Sequence, residues 1–343
     1  MATPPPPAPL EVVAGLLGHL SLSVAVGVGV TVALLAMPEE RGGVVARSTR
    51  RLALPAAALV ALSAVVNVLA SSAKQPTPVT ETAGYALVAV GLLLVHWQRS
   101  RRLAGGVAVV AVVTAVLPVL PLTAQTMTVD AAMRAALTAV HVLGALFWVG
   151  GLVVLAGAGL IGRRSLQHRS ADAGEDWSRV WQRFTVVALV SVGALIVSGA
   201  WLAWTHVGTV TQLVTTTYGR FLAVKLVVVA LMLAAGAYNT RVLMPRIAAA
   251  RRAGDERSVI RLAVEHFPLV VAGEAVLGAV VLTIVGFLRG SARAQAGGSG
   301  AGPFDASVLG TGLVLVALVA AGLWAGTRSP RSERSERSVN SPG

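Results

Sequence analysis

The chain has 343 residues and a formal net charge of +13, yet only 13% of it is charged, 55% is hydrophobic, and the mean hydropathy is +0.75. Soluble domains carry about 25% charged residues, so a soluble enzyme is a poor fit, and no linker holds a phosphate loop or a nucleophile–base constellation. The absence of cysteine excludes disulfides, thiolate metal sites and iron–sulfur clusters.

The apolar residues fall in long runs. A hydrocarbon core of ~30 Å takes about 20 helical residues at ~1.5 Å each, and nine runs approach that length: 11–37, 52–73, 82–97, 103–122, 131–162, 180–206, 218–244, 262–288 and 306–326. The expected fold is all-α, a polytopic transmembrane helix bundle of about nine spans. Residues 1–10 form a Pro-rich, disordered N-terminus, and 11–130 form a four-helix membrane part. Residues 131–290 form a second four-helix membrane domain, 291–305 a loop, 306–326 an additional span, and 327–343 a disordered basic tail. The first run lacks a basic segment before it and is too long for a signal peptide, so it reads as a retained span.

Charge placement sets the orientation. Of the 28 Lys and Arg residues, 22 fall in alternate linkers (38–51, 98–102, 163–183, 241–261) and in the tail after 326. The intervening linkers hold five. The positive-inside rule then puts the N-terminus outside and the C-terminus in the cytoplasm. The same pattern explains the basic charge as topology plus contact with anionic membrane lipid, with no nucleic acid as partner. Trp97, Trp177, Trp181 and Trp324 fall at cytoplasmic ends of the runs and Trp201 and Trp204 at an outer end, as interfacial tryptophans do. Trp148 alone is mid-span.

Polar residues inside the spans are expensive and mark function. His19 in the first run and His141 in the fifth lie at similar depth from the outer surface, with Asn67 of the second run in the same half. His141, Gly144, Trp148 and Gly151 share one helix face. Met127 and Met133 lie at the outer mouth of the fifth run and His206 at the outer end of the sixth. Imidazole and thioether donors suit copper, and Met favours Cu(I). Either histidine alone is as well explained by a hydrogen bond to a neighbouring helix. His96, His168 and His266, at cytoplasmic ends, read as solvated surface residues.

Tyr218, Lys225, Met232 and Asn239 repeat every seven residues and so stay near one stripe of the seventh run. Lys225 wants a carboxylate, and Glu274 is the one acidic residue well inside a span. A Lys225–Glu274 ion pair is therefore expected, either to hold helices together or to line a path.

From about Arg134 to Arg289 the residues resemble the copper resistance protein D (CopD) family. The motifs are His141 with Trp148-Val149-Gly150-Gly151; Arg183-Phe184-Thr185 with Ala188, then Ser198-Gly199; Thr217-Tyr218-Gly219-Arg220 followed by Lys225; and Glu274. Thr185 stands where the family more often has serine. The resemblance implies a non-enzymatic protein of the cytoplasmic membrane that takes up copper and works with an extracytoplasmic copper-binding protein. In that reading Met127, Met133 and His206 receive copper, whose oxidation state stays open. His19, His141 and Met232 coordinate it. Asn67 orients an imidazole, and Trp148, Tyr218, Lys225, Asn239 and Glu274 line the path. Two rivals remain: a b-type cytochrome with His19 and His141 as axial haem ligands, and a copper-delivery or assembly partner that does not transport.

Overall fold

The computed structural model describes residues 7–38, 43–71, 79–120, 128–162, 171–255, 262, 267–302 and 306–327, and every regular element among them is helical. In chain order these are α1 (Pro9–Val30), continued by a π-turn (Thr31–Leu35), then α2 (Val44–Ser71), α3 (Val79–Trp97), α4 (Arg101–Val116), α5 (Val129–Gly162) and α6 (Ala171–His206). A one-turn α7 (Gln212–Thr215) precedes α8 (Thr217–Tyr238), which runs through a second π-turn (Asn239–Leu243) into α9 (Met244–Arg252). Last come α10 (Phe267–Val285), the short α11 (Ala292–Gln295) and α12 (Ala306–Thr327). Among the described residues, seven helices are long and apolar enough to cross a membrane; the segments Leu269–Val285 and Ala306–Gly322, at the eighth and ninth expected positions, are apolar but shorter.

α1 and α5 form the central pair. Hydrophobic burial drives nothing between helices in lipid, so close packing must hold them together, and small residues permit it. A Cβ on Gly150 would lie 1.9 Å from the Ser23 carbonyl oxygen, and one on Gly27 would lie 2.2 Å from that of Gly150. The two backbones therefore touch, with Ala25, Val26 and Val28 fully buried around them. α2 and α4 pack on α1, α3 on α2 and α4, α6 and α10 on α5, α8 on α10, and α12 on α6. Gly144 faces Leu195 and Ser191, and Gly151 faces Phe184, which seats α6 along α5.

The arginine-rich face is fastened by side chain to backbone bonds. The last turns of a helix leave carbonyls without intrahelical partners. Arg183 donates to the Leu34 and Leu35 carbonyls at 2.9 and 3.2 Å, and Arg101 donates to that of Ala33. Asp176, 1% exposed, accepts from the amides of Met37 (3.1 Å) and Val45 (2.9 Å), so α6 holds both ends of the α1–α2 connection. Arg50 donates to the Gln98 carbonyl, and His96 donates through Nδ1 to that of Arg50 at 3.1 Å.

Three expectations change. Trp177 and Trp181 are 5% and 6% exposed and stack at 5.6 Å inside the core, because α6 starts nine residues before the apolar run at 180. His96 ties α3 to α2 and is not simply solvated. α2 begins at Val44, so Arg47, Arg50 and Arg51 are helical residues, not linker. His168 and His266 lie outside the described residues.

Gly150→Ala is expected to lower the thermal unfolding midpoint in detergent, with an overpacking cost of about 1–3 kcal/mol. Gly106→Ala, where a Cβ meets nothing within 4 Å, should leave it unchanged. Asp176→Ala strands the buried Val45 amide at a cost of about 1–3 kcal/mol and frees the part-buried Met37 amide as well, read by the same measurement.

Candidate functional site

α5, α8 and α10 meet along one seam. A Cβ on Gly278 of α10 would lie 3.2 Å from a Val149 methyl of α5 and 3.5 Å from the Met232 methyl of α8. α8 and α10 are antiparallel along it: Phe221 stacks on Phe287 at 4.9 Å near one end, and Asn239 meets Glu274 near the other. The heptad stripe of α8 faces this seam, with Tyr218, Met232 and Asn239 at 8%, 1% and 7% exposed and Lys225 half-buried.

At the arginine-poor end of the seam, His206 closes α6. Its ring lies parallel to Tyr218 at 5.6 Å and 8°, joining the end of α6 to the start of α8. The Tyr218 amide donates to Gln295 Oε1 at 3.0 Å, and Arg293 donates to the Trp204 carbonyl at 2.9 Å, so α11 lies over this junction. Thr216 caps α8 by accepting from the Gly219 amide at 3.0 Å. Met133 is half-buried on α5, two turns from His141. Met127 lies outside the described residues.

His141 is half-buried and is turned toward α6. Its Nδ1 is 3.1 Å from Ser198 Oγ, while that hydroxyl donates its single proton to the Ala194 carbonyl at 2.6 Å. Ser198 can therefore only accept, so His141 Nδ1 carries the proton and Nε2 keeps the lone pair a metal needs. Gly199 makes room for the ring: a Cβ there would lie 3.3 Å from His141 Cε1. Lys225 lies at about the depth of His141, since it stands seven residues above Met232 as His141 stands eight above Val149, and both of those meet Gly278. The same reasoning applies to His206, whose Nδ1 bonds the Leu202 carbonyl at 2.8 Å, and to His19, whose Nδ1 bonds that of Gly15 at 2.7 Å. A carbonyl only accepts, so Nδ1 carries a proton in each ring, and in the neutral form of the ring the lone pair is on Nε2.

His19 and His141, expected as partners, turn to different neighbours. His19 is exposed on α1 and bonded within its own helix, whereas His141 engages α6. Asn67 donates to the Ser63 carbonyl at 2.9 Å and sits beside Gly18 and Tyr85, so its amide serves an α1–α2–α3 contact and not an imidazole. Trp148 is 7% exposed in the core.

The expected Lys225–Glu274 ion pair does not form; Glu274 Oε1 instead accepts from Asn239 Nδ2 at 2.5 Å. The register explains it. With Asn239 opposite Glu274 and Met232 beside Gly278, Lys225 lies two heptads from Glu274, about 21 Å along the axis at ~1.5 Å per residue. Among the described residues, no group of three or more His, Cys, Asp or Glu side chains is placed to hold a metal ion. Sequence reasoning missed Ser198 as a partner of His141, and the signal was the Ser-Gly pair on an apolar helix, where a serine needs a reason.

No curated protein and no solved structure matches the chain. Residues 178–288 match the family model CopD, copper resistance protein D. The match takes in Ser198, His206, Tyr218, Lys225, Met232, Asn239 and Glu274, and begins after His19 and His141. Over residues 178–288 the chain is therefore similar to the copper resistance protein D family.

Proposed function

We propose that this membrane protein moves copper inward across the cytoplasmic membrane. The observation that carries the reading is His141: a fixed neutral tautomer, with Nε2 available, at the head of a seam lined by family residues. Copper is the cargo here, passed between donors. An extracytoplasmic copper-binding protein presents the ion at the arginine-poor mouth, where His206, Met133 and Met127 are the receiving donors. His141 takes it next. Met232, about 12 Å deeper at ~1.5 Å per residue, offers a thioether. His19 lies on the bundle surface at a depth close to His141 and belongs to capture, not to the same coordination sphere. Lys225, at the depth of His141 on α8, repels a cation that stays, which favours onward movement. The charge asymmetry of the linkers makes the arginine-poor face the outer one. The inward direction rests on the family resemblance. No covalent step is involved, so no enzymatic activity is assigned.

Whole-cell copper accumulation, measured at equal membrane level of each variant, should fall by about tenfold or more in His141→Ala and much less in His19→Ala. Equal accumulation in His141→Ala and wild type would remove His141 from the path. The Ser198→Ala variant loses the group that fixes the His141 ring. Its copper affinity in purified protein should drop by about 10–100-fold, the usual cost of losing a partner of a metal-bound imidazole.

A further inference from the structure

The polar pair deepest in the seam is not explained by copper ligation. Glu274 is 4% exposed and Asn239 is 7% exposed, and the amide donates to the carboxyl at 2.5 Å. The other end of the same amide, Asn239 Oδ1, is buried without a partner. A buried acceptor left unsatisfied is costly, and an uncompensated carboxylate in an apolar layer is costlier still. One proton removes both problems. A carboxylic acid and a carboxamide match edge to edge: the amide N–H donates to one carboxyl oxygen, and the acid O–H donates to the amide oxygen.

Among the described residues, the helices packed around the pair place no buried cation against it. α10 carries no other titratable residue between Phe267 and Val285. α5 has none between Val142 and Gly162, and α1 none between Leu20 and Met37. On α8 and its π-turn, the charged groups are Arg241, which is exposed, Lys225, two heptads away, and Arg220, exposed and farther still toward the other end of the helix. The pair also sits where α8 changes into the π-turn that opens with Asn239. Such single π-turns widen the backbone and gather at functional sites.

We propose that Glu274 and Asn239 form a proton-binding site of the membrane interior: a neutral acid–amide pair that loads and releases one proton. Released, the proton leaves to water at the arginine-rich face. The carboxylate left behind keeps the amide N–H and offers its second oxygen to a cation coming down the seam. As a proton site the pair stands on its own geometry; as a coupling site it rests on the proposed copper movement.

Infrared spectroscopy of the full-length protein in liposomes reads the first claim without copper. At neutral pH the wild type should show the C=O stretch of a protonated carboxylic acid. The band should vanish in Glu274→Gln, whose amide replaces the acid, and shift in Asn239→Leu. A wild type without the band, or a Glu274→Gln variant that retains it, would overturn the proposal. Should Asn239→Leu fail to fold, the near-isosteric Glu274→Gln comparison still decides. Copper flux under an imposed pH gradient reads the second claim: the gradient should accelerate flux in wild type and not in Glu274→Gln. Acceleration that survives in Glu274→Gln overturns the coupling role. Absence of copper flux from the wild type, with the band present, overturns the transport reading and leaves the proton site standing.

Discussion

The backbone contact between Gly27 and Gly150 is the constraint on which the rest of the bundle depends. With no side chain on either residue, α1 and α5 approach until carbonyl meets Cα. In lipid this substitutes for the hydrophobic drive that would join helices in water, because it gains dispersion contact that lipid tails do not replace. Once α5 is fixed, its other glycines fix its neighbours. Gly144 and Gly151 admit Leu195 and Phe184 of α6, and Val149 admits Gly278 of α10. The orientation of His141 follows from these contacts. α6 lies close enough for Ser198 to reach Nδ1, and Gly199 leaves the ring its space.

The arginine-rich face shows the same side chains performing two tasks. Their placement between apolar runs biases topology. Within the fold, Arg101 and Arg183 also bond the carbonyls around the π-turn that ends α1, where the backbone is short of donors. Asp176 complements them by taking two amides across the following connection. A buried carboxylate bonded to backbone N–H groups has its charge met without a cation partner. The ends of α1, α2 and α6 thus form one fastened corner, with stacked Trp177 and Trp181 packed in it.

Much of this was legible in the sequence. Long apolar runs gave the helices, and the period of seven in α8 correctly put Tyr218, Met232 and Asn239 on an inward stripe. The family resemblance drawn from Tyr218, Lys225 and Glu274 agrees with the match over residues 178–288. What failed was relative depth. Two antiparallel helices each carry a boundary error, and the errors add. The contact between Asn239 and Glu274, with Met232 beside Gly278, places Glu274 nearer the arginine-rich end than the apolar run suggested. Helix rotation was the other gap. The first run is apolar nearly all round, so no hydrophobic stripe reveals that His19 faces outward. Likewise α6 begins before its apolar run, so Trp177 and Trp181 looked interfacial from sequence.

The histidines show why hydrogen bonding decides more than burial here. A lone imidazole in an apolar span has two equivalent tautomers, and only one leaves a given nitrogen free for a metal. In α5 the choice is made one helix away. The Ala194 carbonyl accepts from the Ser198 hydroxyl, Ser198 accepts from His141 Nδ1–H, and Nε2 is left with the lone pair. The chain of bonds runs toward a backbone carbonyl, which cannot reverse it, so the assignment holds as long as α5 and α6 stay in register. Further down the seam the logic changes from lone pair to proton. Asn239 offers both an N–H and an oxygen to one carboxyl group, and only a protonated partner answers both. On the proposed path the seam offers a neutral nitrogen, a thioether and a neutral acid in succession, with Lys225 at the depth of the first. An interior of neutral, polarisable donors can pass a cation along without holding it.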